Sequence, residues 1–449
     1  MIGLRPMSGY FPSEGPAEPM TNVCVLGLWH LGCVTAACVA DAGYRTIGID
    51  PNDAVIADLK AGRAPLFEPG LDDLIKCGTN RSNLALTSDL SAAASCDLVW
   101  ITLDTPVDDN DVADSGFVVT TIESIFPYLR DDAVLLVSSQ LPVGTTRAVA
   151  KNFRARYPQK TCHFAYSPEN LRLGKAIEIF KNSERIIVGC ESERVRQLVQ
   201  PVLDNFTRHV VWLSIESAEM TKHAVNAFLA TCVTFANELA LICERVGADA
   251  AEVERALRLE PRIGPRAYIK PGAAFAGGTL ARDIVFLSAI ADRQGLPLPL
   301  IGSVMRSNEV HKHWPVRRLV ERFGSLRGRT VAVLGLAYKP GTDTLRRSAA
   351  IELCRELSGL GAHVRAFDPA IRDLPEAFKA FMLLAASAKA ALSGADAAIV
   401  ATEWPEFRAI DLATWLNAMP APVVCDPNGF LAKTFEGAPQ LSYMNVGRP

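Results

Sequence analysis

The sequence predicts an α/β protein of two doubly wound, Rossmann-like domains joined by a long buried central helix. Three observations carry this. Short, fully apolar runs alternate with helical stretches from Asn22 onward, the pattern of a parallel sheet covered on both faces. The last third then repeats the first: VAVLGL at Val331 to Leu336 echoes VCVLGL at Val23 to Leu28, HVRAFDP echoes RTIGIDP, and ADAAIVATEWP echoes CDLVWITLDTP. Between the copies, Ser214 to Gly247 reads as one helix. Its apolar residues run round every side from His223 to Cys243, which predicts burial on all faces.

Length and charge narrow the function classes. At 449 residues the chain exceeds one core. The expected division is a flexible tail over 1–20, a first domain over 21–213, a central helical and dimerising segment over 214–325, and a second doubly wound domain over 326–449. A net charge of −3 offers no basic field for nucleic acid or an anionic membrane surface. The 11 cysteines follow no repeated spacing, which fits free thiols in a reducing cytoplasm. No metal site is expected: His311 and His313 lack a cysteine or carboxylate partner at ligand spacing.

In chain order, the first specific signal is NVCVLGLWHLG, a strand running into Gly27-Leu28-Trp29-His30-Leu31-Gly32 and an alanine-rich helix. The second strand ends in Asp50, where a dinucleotide fold puts the carboxylate that takes the ribose hydroxyls. The same carboxylate repels the extra phosphate of NADP, so NAD is the expected cofactor. Trp29 occupies the place of the middle glycine, so the cofactor is either displaced or held weakly. Later strands end in Thr105-Pro106 and Pro142-Val143-Gly144, at the edge of the sheet where ligands bind.

The long helix has Ser214 or Ser217 to cap its start and Gly247 to end it. Lys222 and Asn226 are four apart, so an amine and a carboxamide share one face. Asn226, Asn237 and Glu238 inside the apolar run count against a membrane span. A loop rich in glycine and alanine follows, RIGPRAYIKPGAAFAGGTLARD from Arg262 to Asp283, of the kind that lets a ligand approach the backbone. In the second copy Lys339-Pro340 stands where a phosphate turn would enter its helix, which suits a phosphorylated ligand held by a cation.

Together these pieces resemble the UDP-glucose/GDP-mannose dehydrogenase family. The match runs through GLWHLG with Asp50, APLFEPGL, Thr105-Pro106, SQLPVGT, SPENLRLG, AEMTKHAVNAFLA, RIG, PGAAFAGGTLARD, LGLAYKPGTDTLRRS, FDP and TEWPEF. The resemblance implies oxidation of a nucleotide sugar at its C6 hydroxyl to a carboxylate, in two hydride transfers to NAD, by a homodimer or higher homo-oligomer. It implies that Lys222 and Asn226 polarise the reacting oxygen, that Asp283 positions a water or takes a proton, and that Glu169 serves later proton steps. It assigns Leu171, Arg172, Arg262, Tyr268, Gly272, Phe275, Lys339 and Arg346 to the substrate, with Arg262 reaching across the dimer.

The departures carry as much information. Aligned on Asp283, Thr279 falls on the family's nucleophilic cysteine, Ala274 and Ala276 on two glycines, and Arg282 on a lysine. Gln140 replaces a threonine and Pro427 an arginine. A threonine hydroxyl is a poorer nucleophile than a thiol and needs a dedicated base. The expected activity is therefore a dehydrogenase whose covalent second step is impaired or absent. Alternatives are a two-electron dehydrogenase of another sugar alcohol and a non-catalytic relative that binds a nucleotide sugar.

Overall fold

The computed structural model describes residues 21–106, 113–169, 171–276 and 278–449; the expected tail over 1–20 lies outside the described residues. Two compact units divide between Lys222 and His223.

The first unit runs β1 (Val23–Leu26), α1 (His30–Asp41), β2 (Thr46–Ile49), α2 (Asp53–Lys60), α3 (Leu71–Asn80), β3 (Leu84–Thr87), β4 (Leu98–Ile101), α4 (Ser115–Ser124), β5 (Ala133–Val137), α5 (Thr145–Arg156), β6 (Cys162–Tyr166), α6 (Ala176–Lys181), β7 (Ile186–Cys190), α7 (Glu193–Leu203) and β8 (Val210–Leu213). Its sheet has the order β3-β2-β1-β4-β5-β6-β7-β8. Neighbours are parallel except β6 and β7. Chain direction across the sheet reverses between β1 and β4, the point at which such folds leave a crevice. β1, β4 and β5 are buried along their whole length, which explains their uninterrupted apolar sequences.

Two glycines make the first turn possible. Gly27 has φ +95°, and a Cβ there would lie 2.9 Å from the backbone of Leu103. A Cβ on Gly32 would lie 1.8 Å from the carbonyl oxygen of Gly27, so α1 can start this close to β1 only with hydrogen at that position.

The long helix α8 (Ile215–Val246) begins in the first unit and continues into the second. Ser214 is the residue that caps it, accepting from the Ser217 N–H at 3.3 Å, and Gly247 ends it with φ +78°. Burial on all faces is not achieved within one chain. Phe228, Phe235 and Ile242 stay 68%, 53% and 59% exposed. Their spacing of seven residues places them on one stripe, and the other elements of this chain cover only the remaining faces. Among the described residues α8 is the one helix long and apolar enough to cross a membrane. Its buried Glu219, Lys222, His223, Asn226 and Asn237 instead mark a core helix with polar partners.

The second unit adds α9 (Ala250–Leu259), α10 (Thr279–Gln294), α11 (Pro299–Lys312), α12 (Trp314–Phe323), β9 (Thr330–Leu334), α13 (Ala349–Gly359), β10 (His363–Phe367), α14 (Glu376–Lys379), β11 (Leu383–Leu384), α15 (Ala388–Leu392), β12 (Ala397–Val400), α16 (Leu412–Ala418), β13 (Val423–Cys425) and β14 (Ser442–Met444). Its sheet order, β11-β10-β9-β12-β13-β14, matches the first six strands of the other sheet. The duplication extends to register. Leu334 pairs with Phe367 and Val400 as Leu26 pairs with Ile49 and Ile101. Gly335, at φ +93°, sits 2.4 Å from Thr402 by its would-be Cβ, as Gly27 crowds Leu103.

Replacing Gly32 with alanine is expected to lower stability by about 1–3 kcal/mol, the usual cost of forcing volume into a packed site. Thermal unfolding of Gly32→Ala measures this, and a melting temperature equal to the parent's would refute the close-approach argument.

Candidate active site

At the switch point of the first sheet, Asp50 folds back on the glycine turn. Its Oδ2 accepts the Leu28 N–H at 2.9 Å and its Oδ1 the Asn52 N–H at 3.0 Å. Leu28 points inward and is fully buried, so only its backbone faces the turn. Trp29 occupies the N-cap of α1 without a side-chain cap bond and is 44% exposed. The first N–H groups of α1 therefore have no side-chain acceptor, the arrangement that receives a phosphate. His30 Nε2 lies 3.0 Å from Glu68, which also accepts the Gly174 and Ala176 N–H groups at 2.7 and 2.8 Å. Glu68 is thus a buried tie between the turn and the start of α6. Thr105 donates its hydroxyl to the Gln140 carbonyl at 2.8 Å, joining the ends of β4 and β5, beside an exposed Pro106. Leu31 lines a cavity of about 70 Å³ with Thr35, Trp100, Ser138, Glu169 and Leu171. The close glycine turn, the uncapped helix start and the Asp50 carboxylate fit NAD.

Lys222 is 8% exposed, and burying an ammonium requires partners. It donates to the Glu169 carbonyl at 2.6 Å and lies 3.7 Å from the Glu169 carboxylate, whose other oxygen accepts the Leu171 N–H at 2.7 Å. Arg172 is exposed. Upstream on the same helix, buried Glu219 accepts the Gly144 N–H at 2.6 Å and the Thr146 N–H at 3.0 Å, holding the start of α5. Burial pushes its carboxyl up, against those two donors.

In the second unit, α8 meets α10 through one carboxylate. Asp283 is wholly buried; its Oδ1 lies 2.6 Å from His223 Nδ1, and its Oδ2 accepts from Asn226 Nδ2. Thr279 opens α10 one turn before Asp283 and is exposed. Sequence reasoning had paired Lys222 with Asn226 but passed over His223, because a histidine in an apolar run carries no signal of its own.

The loop before α10 is held by side chains rather than by regular structure. Asn237 accepts the Gly272 N–H at 2.9 Å, His311 Nε2 donates to the Gly272 carbonyl at 2.8 Å, and Asn428 accepts the Ala273 N–H at 2.7 Å. Asn308 bonds both the N–H and the carbonyl of Phe275, each at 2.9 Å. Gly272 is needed for packing, since a Cβ there would lie 2.4 Å from Asn428 Oδ1. Phe275 packs its ring against Ala227, Ala230, Ile284 and Val304. None of these asparagines was legible as a loop anchor, because the partners lie far apart in sequence.

Of the remaining expected residues, Arg262 is exposed and paired with Glu260 at 2.6 Å, and Tyr268 is 57% exposed. Arg346 is exposed and Lys339 half-buried, in the turn after β9. Their neighbours come close to the start of α10: a Cβ on Gly278 would lie 3.5 Å from Tyr338 Oη and 4.0 Å from Arg347 Nη1. Arg347 holds φ +60°, a left-handed conformation that costs a residue with a side chain roughly 1 kcal/mol or more. Among the cysteines of α8, Cys232 has its thiol pushed up by burial, which opposes thiolate formation.

Two outcomes test the loop anchors. Asn308→Ala removes both bonds to Phe275 and is expected to raise the KM for substrate well above any change in the KM for NAD; equal shifts in steady-state kinetics would count against it. Burial, with a smaller contribution from Arg317, pushes His311 below its ordinary value. The folded protein then stays neutral at His311 while the unfolded chain takes up a proton, so this site costs stability as pH falls below about 6.5 and levels off below the folded value. His311→Gln keeps a donor for Gly272 and should lose less melting temperature than the parent between about pH 7.5 and about 5.5.

Comparison with known proteins agrees with this geometry. Residues 21–207 match the NAD binding domain of the UDP-glucose/GDP-mannose dehydrogenase family, 216–310 its central domain and 332–433 its UDP binding domain. The chain is 34% identical over 436 residues to UDP-glucose 6-dehydrogenase TuaD of Bacillus subtilis, covering 96% of this chain and 94% of that one. It is 33% identical over 444 residues to the UDP-glucose 6-dehydrogenase of Pseudomonas aeruginosa, covering 95% and 98%. A solved UDP-glucose dehydrogenase from Pyrobaculum islandicum superposes with a TM-score of 0.85 at 31% identity, covering 98% of this chain and 100% of that one. With glycine turn, terminal carboxylate, buried lysine and asparagine helix and duplicated sheet all accounted for, the chain belongs to the UDP-glucose/GDP-mannose dehydrogenase family and is an NAD-dependent nucleotide-sugar dehydrogenase acting on CH–OH donors.

Proposed function

We propose that this enzyme oxidises the C6 hydroxyl of a nucleotide sugar, foremost a UDP-sugar, and that its second oxidation is impaired because Thr279 stands where the family's nucleophile belongs. One observation supports the proposal: Thr279 opens α10 one turn before the buried Asp283, at the position where the resemblance puts the family's cysteine. The names of the relatives support the UDP-sugar.

Gly27 to Gly32, Asp50, Thr105 and Pro106 are the residues that would hold NAD, whose chemistry when bound is to accept a hydride from the carbon bearing the hydroxyl. As that carbon is oxidised its oxygen gains negative charge. The Lys222 ammonium and the Asn226 amide, one helical turn apart on α8, are preorganised donors for that oxygen, and such donors act most strongly where water is excluded. Asp283 positions a water or takes the proton released as the alcohol becomes an aldehyde, and Glu169, whose carboxylate is tied to the Leu171 N–H, serves the later proton steps. Without a thiol, the aldehyde reaches the acid only by adding water to its carbonyl carbon, and the resulting hydrate then loses the second hydride. Water addition has no covalent tether to speed it, which makes this step slow. A second reading, favoured by the same Thr279, is a two-electron oxidation at a secondary carbon, where no thiol is required.

Lys339 and Arg346 suit the diphosphate, and Leu171, Arg172, Tyr268, Gly272 and Phe275 the rest of the substrate. The exposed stripe of Phe228, Phe235 and Ile242 supports a homodimer built on α8, and the exposed Arg262 supports its reach into a partner's site. The free thiols and the proposed nucleotide-sugar substrate support a cytoplasmic location.

Counting NADH formed per UDP-sugar consumed tests the impaired step: a ratio near one, or a slow second phase, is expected, and two equivalents at an undiminished single rate would refute it. Thr279→Cys should then raise acid output. Lys222→Ala should lower kcat by about 10²–10³-fold, the usual loss for one donor to a developing oxyanion.

A further inference from the structure

Asn226 can orient a substrate oxygen only if its amide is held one way round, because the terminal torsion of an asparagine is broad and two-fold. Its Nδ2 gives one hydrogen to Asp283 Oδ2, which leaves the second N–H of the amide to donate to a substrate oxygen. A carboxylate held through one oxygen can itself rotate. Here the second oxygen is taken as well: His223 Nδ1 lies 2.6 Å from Asp283 Oδ1. A carboxylate offers only acceptors, so Nδ1 carries the hydrogen and donates it. His223 is 1% exposed and its ring meets the edge of Phe286, with centroids 5.2 Å apart at 79°, so the imidazole has little room to turn. Residues 223 and 226 are three apart and face the same side of α8.

We propose that His223 is a positioning residue for the dehydrogenase reaction. Through Asp283 it fixes the direction of the Asn226 amide, and because Asp283 follows Thr279 by one turn of α10, the same clamp seats the start of that helix. Asp283, with each oxygen bonded to a side chain of α8, acts as the hub of this clamp. The inference rests on the assignment of Asn226 to the reacting oxygen made above.

Four variants and one control test it. His223→Leu removes the donor and is expected to lower kcat by about 10–100-fold, as loss of an outer hydrogen-bond partner does in other sites, with the KM values for UDP-glucose and NAD within about twofold of the parent. His223→Asn presents an N–H at the position of Nδ1 and should recover most of the loss, whereas His223→Gln, whose amide is one carbon further out, should not. A readout independent of turnover is the downfield proton resonance of the Nδ1–H bond in the unliganded protein, expected in the parent and absent from His223→Leu and Asp283→Asn. Normal turnover in His223→Leu, a loss confined to KM, or a His223→Asn variant with parental melting temperature but no recovery would each overturn the proposal. Asn226→Ala separates it from the reading beneath. Undiminished turnover in that variant overturns both; turnover lost there but kept in His223→Leu overturns the role of His223 alone.

Discussion

A polar group taken out of water must find a partner inside the protein, and α8 is where this constraint acts most heavily. Six of its side chains are polar and buried, and leaving any one unpaired would cost about 1–3 kcal/mol, more for a charged group. Thr234 bonds back to the Ala230 and Thr231 carbonyls of its own helix, and the other five find partners on other segments. Glu219 takes the start of α5, Lys222 the carbonyl of Glu169, His223 and Asn226 the carboxylate of Asp283, and Asn237 the Gly272 N–H. Satisfying the helix therefore positions the loops. The groups assigned to chemistry and the groups that hold the fold are here the same hydrogen bonds.

The duplicated sheets show how one turn serves two purposes. Both copies end their second strand in an aspartate that grips the backbone after the first strand. Asp50 receives two backbone N–H groups and stays partly exposed, so lone pairs remain for a ribose. Asp368 receives the N–H groups of Leu336, Ala337 and Ala370 and the indole of Trp404, and is 1% exposed. Its hydrogen-bonding capacity is spent on the fold. The first copy can therefore read a dinucleotide, whereas the second has no carboxylate free to do the same.

The candidate site was legible where chemistry imposes local spacing. Gly27 and Gly32 with Asp50, and Lys222 with Asn226, follow from the geometry of one turn or one helix, whereas Thr279 and Asp283 stand out only through the family resemblance. The loop anchors were not legible in this way. Asn308, Asn428 and His223 carry no spacing signal of their own, and only folding brings Phe275, Ala273 and Asp283 to them.

By itself, the sequence determined the two doubly wound sheets, the helix between them and the dinucleotide turn, because hydrophobic periodicity and glycine sterics are local properties of the chain. Tertiary structure alone decided which polar group would be paired with which. It turned Asp368 into a structural ligand of its own backbone, made Asp283 a buried hub between two helices and left one stripe of α8 in solvent. The reason is physical: burial and hydrogen-bond partnership depend on segments distant in sequence, and no spacing along the chain records them.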